Sequence, residues 1–525
     1  MSRKKSSIKN YIWANISTIV SLLFNFINKT VLIKTLGTTY VGINSLFTNI
    51  LGILAITELG IGVAISFNLY EPLANNDKRK IQALINFYRK AYRIIALIIT
   101  VMGAALIPFL PKIAKGTENV KYLSLIFCIY IFNTVSSYLL IYKTTIFNAD
   151  QKNYLLTKIN TAVFAAVNII QIIVLLLTKN FVLYLLVSSI INLGKNVYLN
   201  IYTGKKYPYL KSRNKESLSK EEKNRFFVDI KAVFYHQVAS VVISQTDSIV
   251  TSSFINVNVV GLVSNYQMLI SVIRGFVSTV FTAIQPSFGN LIVTTDSEYR
   301  HKTFNRINFV AFWLANFTSI CLFMLIEPFI TVWIGNSFLM SKGVLILLVL
   351  NYYIFIMRNP VNIVHNAAGL YDKTKISPII ETLINLAVSI ILVQIWGVEG
   401  VYVGTLVSTI VPVIWLTSAM YKYVYNVSSK PYFVSYVFRF VLTIAEAGAL
   451  FYIANAVKIE NVILTLAFRL LLCLIIPNII IVLIYRKKEE YKYFIDLVVS
   501  FCNKRGLTDK RLVKAFTGFL ELTTK

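Results

Sequence analysis

Apolar stretches of 18 or more residues recur from Tyr11 to Tyr485, and this recurrence limits the possible folds more than any other feature of the sequence. Each stretch is long enough to cross about 30 Å of hydrocarbon as a helix. In hydrocarbon the backbone must satisfy its own hydrogen bonds, so only helices and closed barrels span a membrane. The sequence shows no series of short alternating strands of the kind a barrel requires. It therefore predicts an all-α polytopic membrane protein.

The composition agrees with this fold class. Of the 525 residues, 56% are hydrophobic and 14% are charged, whereas soluble domains are about 45–50% apolar and about 25% charged. We predict about fourteen transmembrane helices, near residues 11–36, 40–70, 91–111, 122–146, 155–178, 180–203, 232–255, 259–290, 307–334, 343–366, 376–396, 400–420, 432–454 and 461–485.

The positions of the charges indicate how the helices are oriented. The net charge is +29, and such a basic balance is also found in nucleic-acid-binding proteins. Most lysines and arginines outside the spans, however, lie on one side of the membrane. The loops on the other side hold Lys112, Lys115, Lys121, Lys179, Lys342 and Lys458. The positive-inside rule then predicts that both termini are cytoplasmic. We expect a protein of the cytoplasmic membrane that contacts anionic lipid headgroups and binds no nucleic acid.

Polar residues on the first and seventh spans indicate an internal duplication. One offset of 219 positions relates the two sets, which are Thr18, Ser21, Asn25 and Asn28, and Gln237, Ser240, Ser244 and Asp247. Each set has the spacing of one helix face, and Gly42 and Gly261 keep the same offset. We therefore predict two pseudo-symmetric lobes of six helices in the same orientation, with two extra helices at the C-terminal end.

The duplication predicts five regions of the chain. An N-lobe of six spans covers residues 1–203, and a charged cytoplasmic linker covers 204–231. A C-lobe of six spans covers 232–425. The last two spans occupy 426–486, and a cytoplasmic tail occupies 487–525.

Charged residues inside the spans are the candidate binding groups, because an ion in hydrocarbon is costly and usually marks a polar cavity or a function. The candidates for a cationic cavity are Arg274, Lys29, Arg358 and Lys34. Arg274 lies in the middle of a long polar face of the eighth span. Arg358 and Lys29 also fit a structural role, and Lys34, near its helix end, also fits snorkelling into the headgroups. A cavity with more bases than acids suits an anionic substrate, and guanidinium binds phosphate bidentately.

Two acids and a polar stripe complete the candidate site. Glu58 and Asp247 either neutralise the bases or carry a coupling proton or sodium ion. The stripe faces a cavity or a packed helix neighbour, and its residues are Asn25, Asn28, Ser244, Gln267, Ser271 and Ser278. The four cysteines lack metal-type spacing, and we find no P-loop, HExxH motif or nucleophile elbow. We therefore expect no metal, no cofactor and no catalytic residue, and hence a protein that is not an enzyme.

Two short motifs resemble those of a known family. "KTLGTTYVG" (34–42) resembles the link after the first span of polysaccharide-exporting flippases, and "ITELGIGVAI" (56–65) resembles their acidic second-span signature, with Glu58 as the acid. The predicted spans, the duplication and the basic linker extend the resemblance along the whole chain. The family is the Wzx-like polysaccharide flippases of the MOP superfamily, which also contains lipid II flippases and MATE drug exporters. The chain departs from the family at 66–67, where Ser and Phe replace a basic residue that many relatives carry.

The resemblance implies that the chain moves an undecaprenyl-diphosphate-linked oligosaccharide to the outer leaflet by alternating access of two lobes. Its partners would be this lipid-linked substrate, membrane lipids and, in polysaccharide assembly, a polymerase and glycosyltransferases. Three alternatives stay open: a lipid II flippase, a MATE-like ion-coupled drug exporter and a membrane polysaccharide polymerase. A cation exporter needs acids in its cavity, and a polymerase needs a larger outside loop than 112–121.

Overall fold

The computed structural model describes residues 3–58, 61–211, 217–457 and 459–504. Within these ranges the chain forms α-helices and no strand, which confirms the predicted all-α class. The helices are α1 Arg3–Leu36, α2 Thr38–Leu54, α3 Ile61–Ala74, α4 Lys78–Leu106, α5 Leu110–Ile113, α6 Leu123–Ile141, α7 Thr145–Ala149, α8 Asn153–Thr178, α9 Phe181–Lys206, α10 Lys220–Phe254, α11 Val257–Thr294, α12 Ser297–Trp333, α13 Lys342–Ala367, α14 Tyr371–Thr374, α15 Ser377–Trp396, α16 Val398–Met420, α17 Lys430–Ala456, α18 Val462–Tyr485 and α19 Glu489–Lys504.

Twelve helices of the described ranges are long and apolar enough to cross a membrane. The predicted second and seventh spans are not among them. The second is divided into α2 and α3, because Ala55–Glu58 forms a 3₁₀ turn between them. The seventh corresponds to α10, which is long enough but carries polar residues such as Gln245 and Asp247. The count of fourteen spans therefore stays a prediction.

Helix boundaries repeat with the offset found in the sequence. Helices α2, α4 and α6 begin 219 positions before α11, α12 and α13 respectively. The caps repeat as well: the Asp77 side chain accepts a hydrogen bond at the start of α4, and Asp296 does so at the start of α12. An aspartate at this position satisfies N–H groups that have no partner inside the helix. The duplication is therefore visible in the positions where helices begin and in their caps as well as in polar stripes.

Two glycines of the repeat face each other where α2 meets α11. A Cβ on Gly42 would collide with the backbone carbonyl of Val257, and a Cβ on Gly261 would collide with that of Thr38. These pairs exchange under the offset of 219, since Thr38 corresponds to Val257 and Gly42 to Gly261. The Thr38 hydroxyl also donates to Asn258. The two copies thus cross with their backbones in contact, and only glycine leaves the room for it.

Contacts divide the described chain into two units. The first comprises the described residues of Met1–Ser264 and Ser389–Val401, and the second those of Asn265–Val388 and Tyr402–Lys525. Helix α10 belongs to the first unit because it packs against α2, α3 and α5. It begins with a capping box at Ser219, inside the segment expected to be a linker. The lobe boundaries predicted from the duplication stay a prediction.

In the second unit, the C-terminal helices α17, α18 and α19 pack on α12. Ile320 and Met324 of α12, Leu450 of α17 and Cys473 of α18 form a buried core. At the start of α19, hydrogen bonds from Lys302 and Arg306 of α12 hold the pKa of the exposed Glu489 carboxyl below its usual range. The helices predicted to lie outside the duplication are thus attached chiefly to α12.

Candidate functional site

Lys29 lies on α1 in the first unit, and its ammonium is held by uncharged groups. Nζ donates to the backbone carbonyl of Ser264 at 2.7 Å and to its hydroxyl at 2.9 Å. Ser264 is in the second turn of α11. Among the carboxylates whose side chains the structure describes, none forms an ion pair with Lys29. The positive charge is therefore oriented by α11 but is not cancelled there.

The other α1 candidates have two different surroundings. Lys34, near the end of the helix, is exposed, as a snorkelling lysine would be. Asn25 is also exposed. Asn28, in contrast, is buried and joins a network of polar side chains. Its amide donates to Asn168 at 2.8 Å and accepts from Tyr184 at 2.9 Å. Asn28 therefore faces α8 and α9, and its side chain does not line a cavity.

The partners of Asn28 were not anticipated from the sequence. Asn168 and Gln171 lie one turn apart on α8, and both are buried. Gln171 accepts from Asn28 and donates to the carbonyl of Tyr184. The signal was available, because two amides at i and i+3 in an apolar run mark a helix face that needs polar neighbours.

Glu58 lies at the 3₁₀ turn between α2 and α3, and tyrosines surround it. Tyr92 donates its hydroxyl to one carboxylate oxygen, and Tyr138 donates to the other at 2.6 Å. Tyr88 in turn donates to Tyr92. The break in the second span thus presents a carboxylate to three phenols from α4 and α6. Tyr88 and Tyr92 share a face of α4, and their spacing of four residues is visible in the sequence.

Asp247 and Ser244 lie on α10. The Asp247 side chain is buried in the first unit. The Ser244 side chain lies outside the described part of the structure, so its predicted place on the stripe stays a prediction.

Arg274 lies on α11 in the second unit, and its guanidinium stacks on an aromatic ring. Cζ is 4.3 Å from the ring centroid of Phe355 on α13, which is within cation–π range. Its buried Nε has no hydrogen-bond partner. No carboxylate with a described side chain forms an ion pair with it. A guanidinium keeps its charge at any working pH, so Arg274 presents an uncompensated charge.

Arg358 differs from Arg274 in having an anionic partner. Its Nη1 donates to Glu381 Oε1 at 2.9 Å, and the pair joins α13 to α15. The Glu381 side chain is 8% exposed and that of Arg358 is 24% exposed. A carboxylate so deeply buried needs a cation. The geometry therefore favours the structural role for Arg358 over a role in binding.

The remaining stripe residues all lie on α11. Gln267 donates to the Tyr402 hydroxyl at 3.1 Å, which ties this turn to α16. Ser271 is exposed and donates to the carbonyl of Met268, one turn earlier on its own helix. Ser278 is half-buried. Two of these three side chains are thus bound within the protein.

The two copies carry opposite charges at nearly equivalent positions of the repeat. Under the offset of 219, Arg274 corresponds to Ala55, and Glu58 corresponds to Val277. The acid of the first copy and the base of the second copy are therefore three positions apart in the aligned repeat, Glu58 in the 3₁₀ turn after α2 and Arg274 within α11. Lys29 and Glu58 belong to the first unit and Arg274 to the second. A joint site of Lys29 and Arg274 stays a prediction. In the described ranges no group of three or more His, Cys, Asp and Glu is placed to hold a metal.

Three comparisons with known proteins bear on this arrangement. A sequence model of a family described as polysaccharide biosynthesis protein matches residues 7–292. No curated protein matches the chain. Among solved structures, the chain is similar to the lipid II flippase MurJ in an inward closed conformation, at 16% identity and a TM-score of 0.61. That match covers 91% of this chain and 99% of the other.

Two further solved structures are transporters of the MOP superfamily. An inward-facing MATE multidrug resistance transporter has 16% identity and a TM-score of 0.57, covering 76% of this chain and 93% of its own. A transporter from Pyrococcus furiosus, described as having a binding pocket of reverse polarity, has 14% identity and a TM-score of 0.52. It covers 80% of this chain and 96% of its own. At these identities the likeness shows the fold.

Proposed function

Because the chain belongs to the polysaccharide biosynthesis protein family, we propose that it is a flippase for an undecaprenyl-diphosphate-linked oligosaccharide. It moves this repeat unit across the cytoplasmic membrane for the assembly of a capsule, an exopolysaccharide or an O-antigen-like polymer. Both termini are cytoplasmic, in keeping with the distribution of lysine and arginine. Glycosyltransferases act on the same glycan before it, and a polymerase acts after it.

The observation that carries the proposal is the uncompensated guanidinium of Arg274. A diphosphate is an anion whose oxygens match the two parallel N–H groups of a guanidinium. Arg274 has a buried Nε with no partner and stacks on Phe355, so its orientation is already fixed. Lys29 adds a point charge, held by Ser264. In this proposal the two bases hold the diphosphate while the sugars pass and the lipid tail stays in the bilayer.

The two copies move against each other in this proposal. Alternating access needs two bodies that part and close in turn, and the contact of Gly42 with Gly261 is a place where the two copies would have to part. Glu58 and Asp247 are the candidates for ion coupling, with a proton or a sodium ion. Glu58 accepts from phenols and forms no ion pair with a described base, so a cation can approach it without first breaking one.

The experiment is a flipping assay with purified protein in liposomes. The substrate is a polyprenyl-diphosphate oligosaccharide with a fluorescent sugar, and its exposure outside is read by a reagent that cannot cross the bilayer. Arg274→Ala should weaken binding about tenfold to a hundredfold, since charged hydrogen bonds contribute roughly 1.5 to 3 kcal/mol each. Arg274→Lys should recover part of this loss, because the bidentate contact is gone.

Arg93→Ala is the matched control, because Arg93 is an exposed arginine on α4. It should flip substrate as the unmodified protein does. Full activity of Arg274→Ala at normal abundance would remove Arg274 from the site. Transport of lipid II in place of the oligosaccharide, or of organic cations, would replace the proposal with one of the two related transport functions.

A further inference from the structure

A further buried acid lies among the helices of the second unit and takes no part in the proposed binding of substrate. Glu446 is near the centre of α17 and is 4% exposed, and Asn316 is near the centre of α12 and is 0% exposed. Both helices are long and apolar enough to cross the membrane. Helix α17 belongs to the pair predicted to lie outside the duplication. The Asn316 position corresponds to Leu97 in the first copy, so the site has no counterpart there.

The described hydrogen-bond network around Glu446 leaves two acceptor atoms without a donor. The Asn316 amide donates to Glu446 Oε2 at 2.8 Å and to Thr443 Oγ1 at 3.0 Å, which uses both of its N–H groups. Thr443 donates onward to the carbonyl of Arg439. Two acceptors, Glu446 Oε1 and Asn316 Oδ1, have no donor in the described part of the chain. One additional hydrogen atom shared by the Glu446 and Asn316 side chains would give one of these two acceptors a donor.

The described bases nearby do not pair with Glu446. Arg439 lies two turns earlier on α17, about 10 Å along the axis, and its guanidinium sits over the rings of Phe312 and Tyr485. Arg469 of α18 donates to the Met324 carbonyl and the Asn455 side chain. An opposite charge favours ionisation strongly within about 4–6 Å. Other titratable groups on α12, α13, α17 and α18 include Cys321, Glu327, Lys342, Tyr352, Tyr353, Tyr436, Cys473 and Tyr485. Of these, Glu327 and Lys342 form an ion pair with each other.

Two opposing influences therefore act on this carboxyl group. Burial without a cation favours the neutral acid, whereas the Asn316 donor favours the carboxylate. We propose that Glu446 and Asn316 form a proton-binding site, and that the carboxyl group takes up and releases a proton during transport. The second part rests on the proposed function. When neutral, the acid donates its O–H to Asn316 Oδ1 after the amide turns over. When ionised, it accepts from the amide N–H, so both charge states have a hydrogen bond.

Infrared difference spectra test the site without any transport. The full chain in lipid nanodiscs is compared from acidic to alkaline pH, and as pH falls a carboxylic acid C=O band should appear before the exposed Asp and Glu side chains protonate. Glu446→Gln should remove this band. Asn316→Ala removes the donor to the charged form, so the midpoint of the titration should rise by about one to two pH units. Glu327→Gln is the matched control, because Lys342 neutralises that acid, and the band should stay.

The same experiment has outcomes that overturn the site. A band that titrates before the exposed carboxyls do and survives Glu446→Gln belongs to another acid. A band that is constant at every pH means a permanently neutral group, and added sodium that removes the band at fixed pH means a sodium site. Either result rejects proton binding and release at Glu446.

The coupling is tested in liposomes that contain a pH-sensitive dye. Movement of the lipid-linked oligosaccharide by the unmodified protein should be accompanied by proton flux, and Glu446→Gln should lose that flux. Substrate movement without proton flux in the unmodified protein would reject the coupling and leave the flippase proposal intact. Failure of the unmodified protein to move this substrate would reject the flippase proposal, while the infrared band still decides the proton site.

Discussion

Arg274 and Arg358 belong to the same unit, but they differ in whether an anionic partner neutralises their charge. Glu381 neutralises Arg358, and the pair links α13 to α15. Arg274 has the Phe355 ring and, among the described residues, no carboxylate. Ion pairs that are largely buried hold helices in place, whereas an uncompensated arginine remains available to an anion. The two arginines should therefore respond differently to substitution.

Removing one partner of the Arg358 pair should be worse than removing both. Glu381→Leu leaves a guanidinium without its anion, which should cost about 3 kcal/mol, the low end for a buried pair because Arg358 is partly exposed. The double variant Arg358→Leu/Glu381→Leu should unfold close to the unmodified protein in thermal melts in detergent, and should still transport. Glu460→Leu, at an exposed acid, is the control. Loss of transport by a stable double variant would return Arg358 to the binding site.

The sequence predicted which residues are charged within the spans but not which partners they meet. Hydropathy locates Arg358 inside a helix, yet Glu381 is 23 residues away on another helix and looks shallow in the sequence. The Asn28 stripe has the right period, but a period does not tell water from a packed neighbour. The hydrogen bonds of Asn28 with Asn168 and Tyr184 show that it meets packed neighbours, and these two residues lie on two further helices.

At the scale of helices, the crossing of α2 and α11 depends on Gly42 and Gly261. Each would place a Cβ against a backbone carbonyl, and a backbone cannot rotate away as a side chain can. The sequence indicated these glycines through their shared offset. It did not indicate the break at Ala55–Glu58, because the apolar run there is long enough for one continuous helix. The hydroxyls of Tyr92 and Tyr138 hold the carboxylate at that break, and the residues around the break do not indicate these distant partners.

Alanine at either crossing glycine should destabilise the fold. Gly42→Ala and Gly261→Ala should each cost about 1–3 kcal/mol, the usual range for overpacking, and their effects should be similar because their contacts are equivalent. Gly194→Ala is the control, since its Cβ meets nothing within 4 Å. It should be neutral or slightly stabilising, because alanine favours a helix over glycine. The measurement is the fraction of monodisperse protein after graded heating in detergent. Unchanged stability of Gly42→Ala would mean that the crossing is loose.

For the whole molecule, the fold class was predictable because lipid leaves the backbone few choices. The offset of 219 anticipated where α11, α12 and α13 begin, since equivalent sequences begin and cap helices alike. The division into two units was not predictable from the duplication. Helix α10 packs with the first copy, and this depends on contacts over long separations that no spacing reveals.

Tying the copies together at their crossing should stop transport. Thr38 and Asn258 are hydrogen-bonded, so cysteines at both positions in a background without native cysteines should crosslink on oxidation. If the copies must separate there in each cycle, the crosslinked protein should lose flipping and regain it on reduction. The control pair is Asn385→Cys/Thr405→Cys, whose side chains are also hydrogen-bonded but lie within one copy. Undiminished flipping by the crosslinked Thr38→Cys/Asn258→Cys protein would reject the rocking mechanism.

The reciprocal contact of Gly42 and Gly261 is of the kind that two identical subunits make about a two-fold axis. In a homodimer, any residue gained by one subunit is gained by both. An arginine at Ala55 and the acid at Glu58 would then lie three residues apart on one chain, where opposite charges attract and neutralise each other. When a single gene encodes both halves, a substitution in one half is not repeated in the other. The fused chain keeps its acid in one half and its arginine in the other, so a positive charge can persist for an anion to bind.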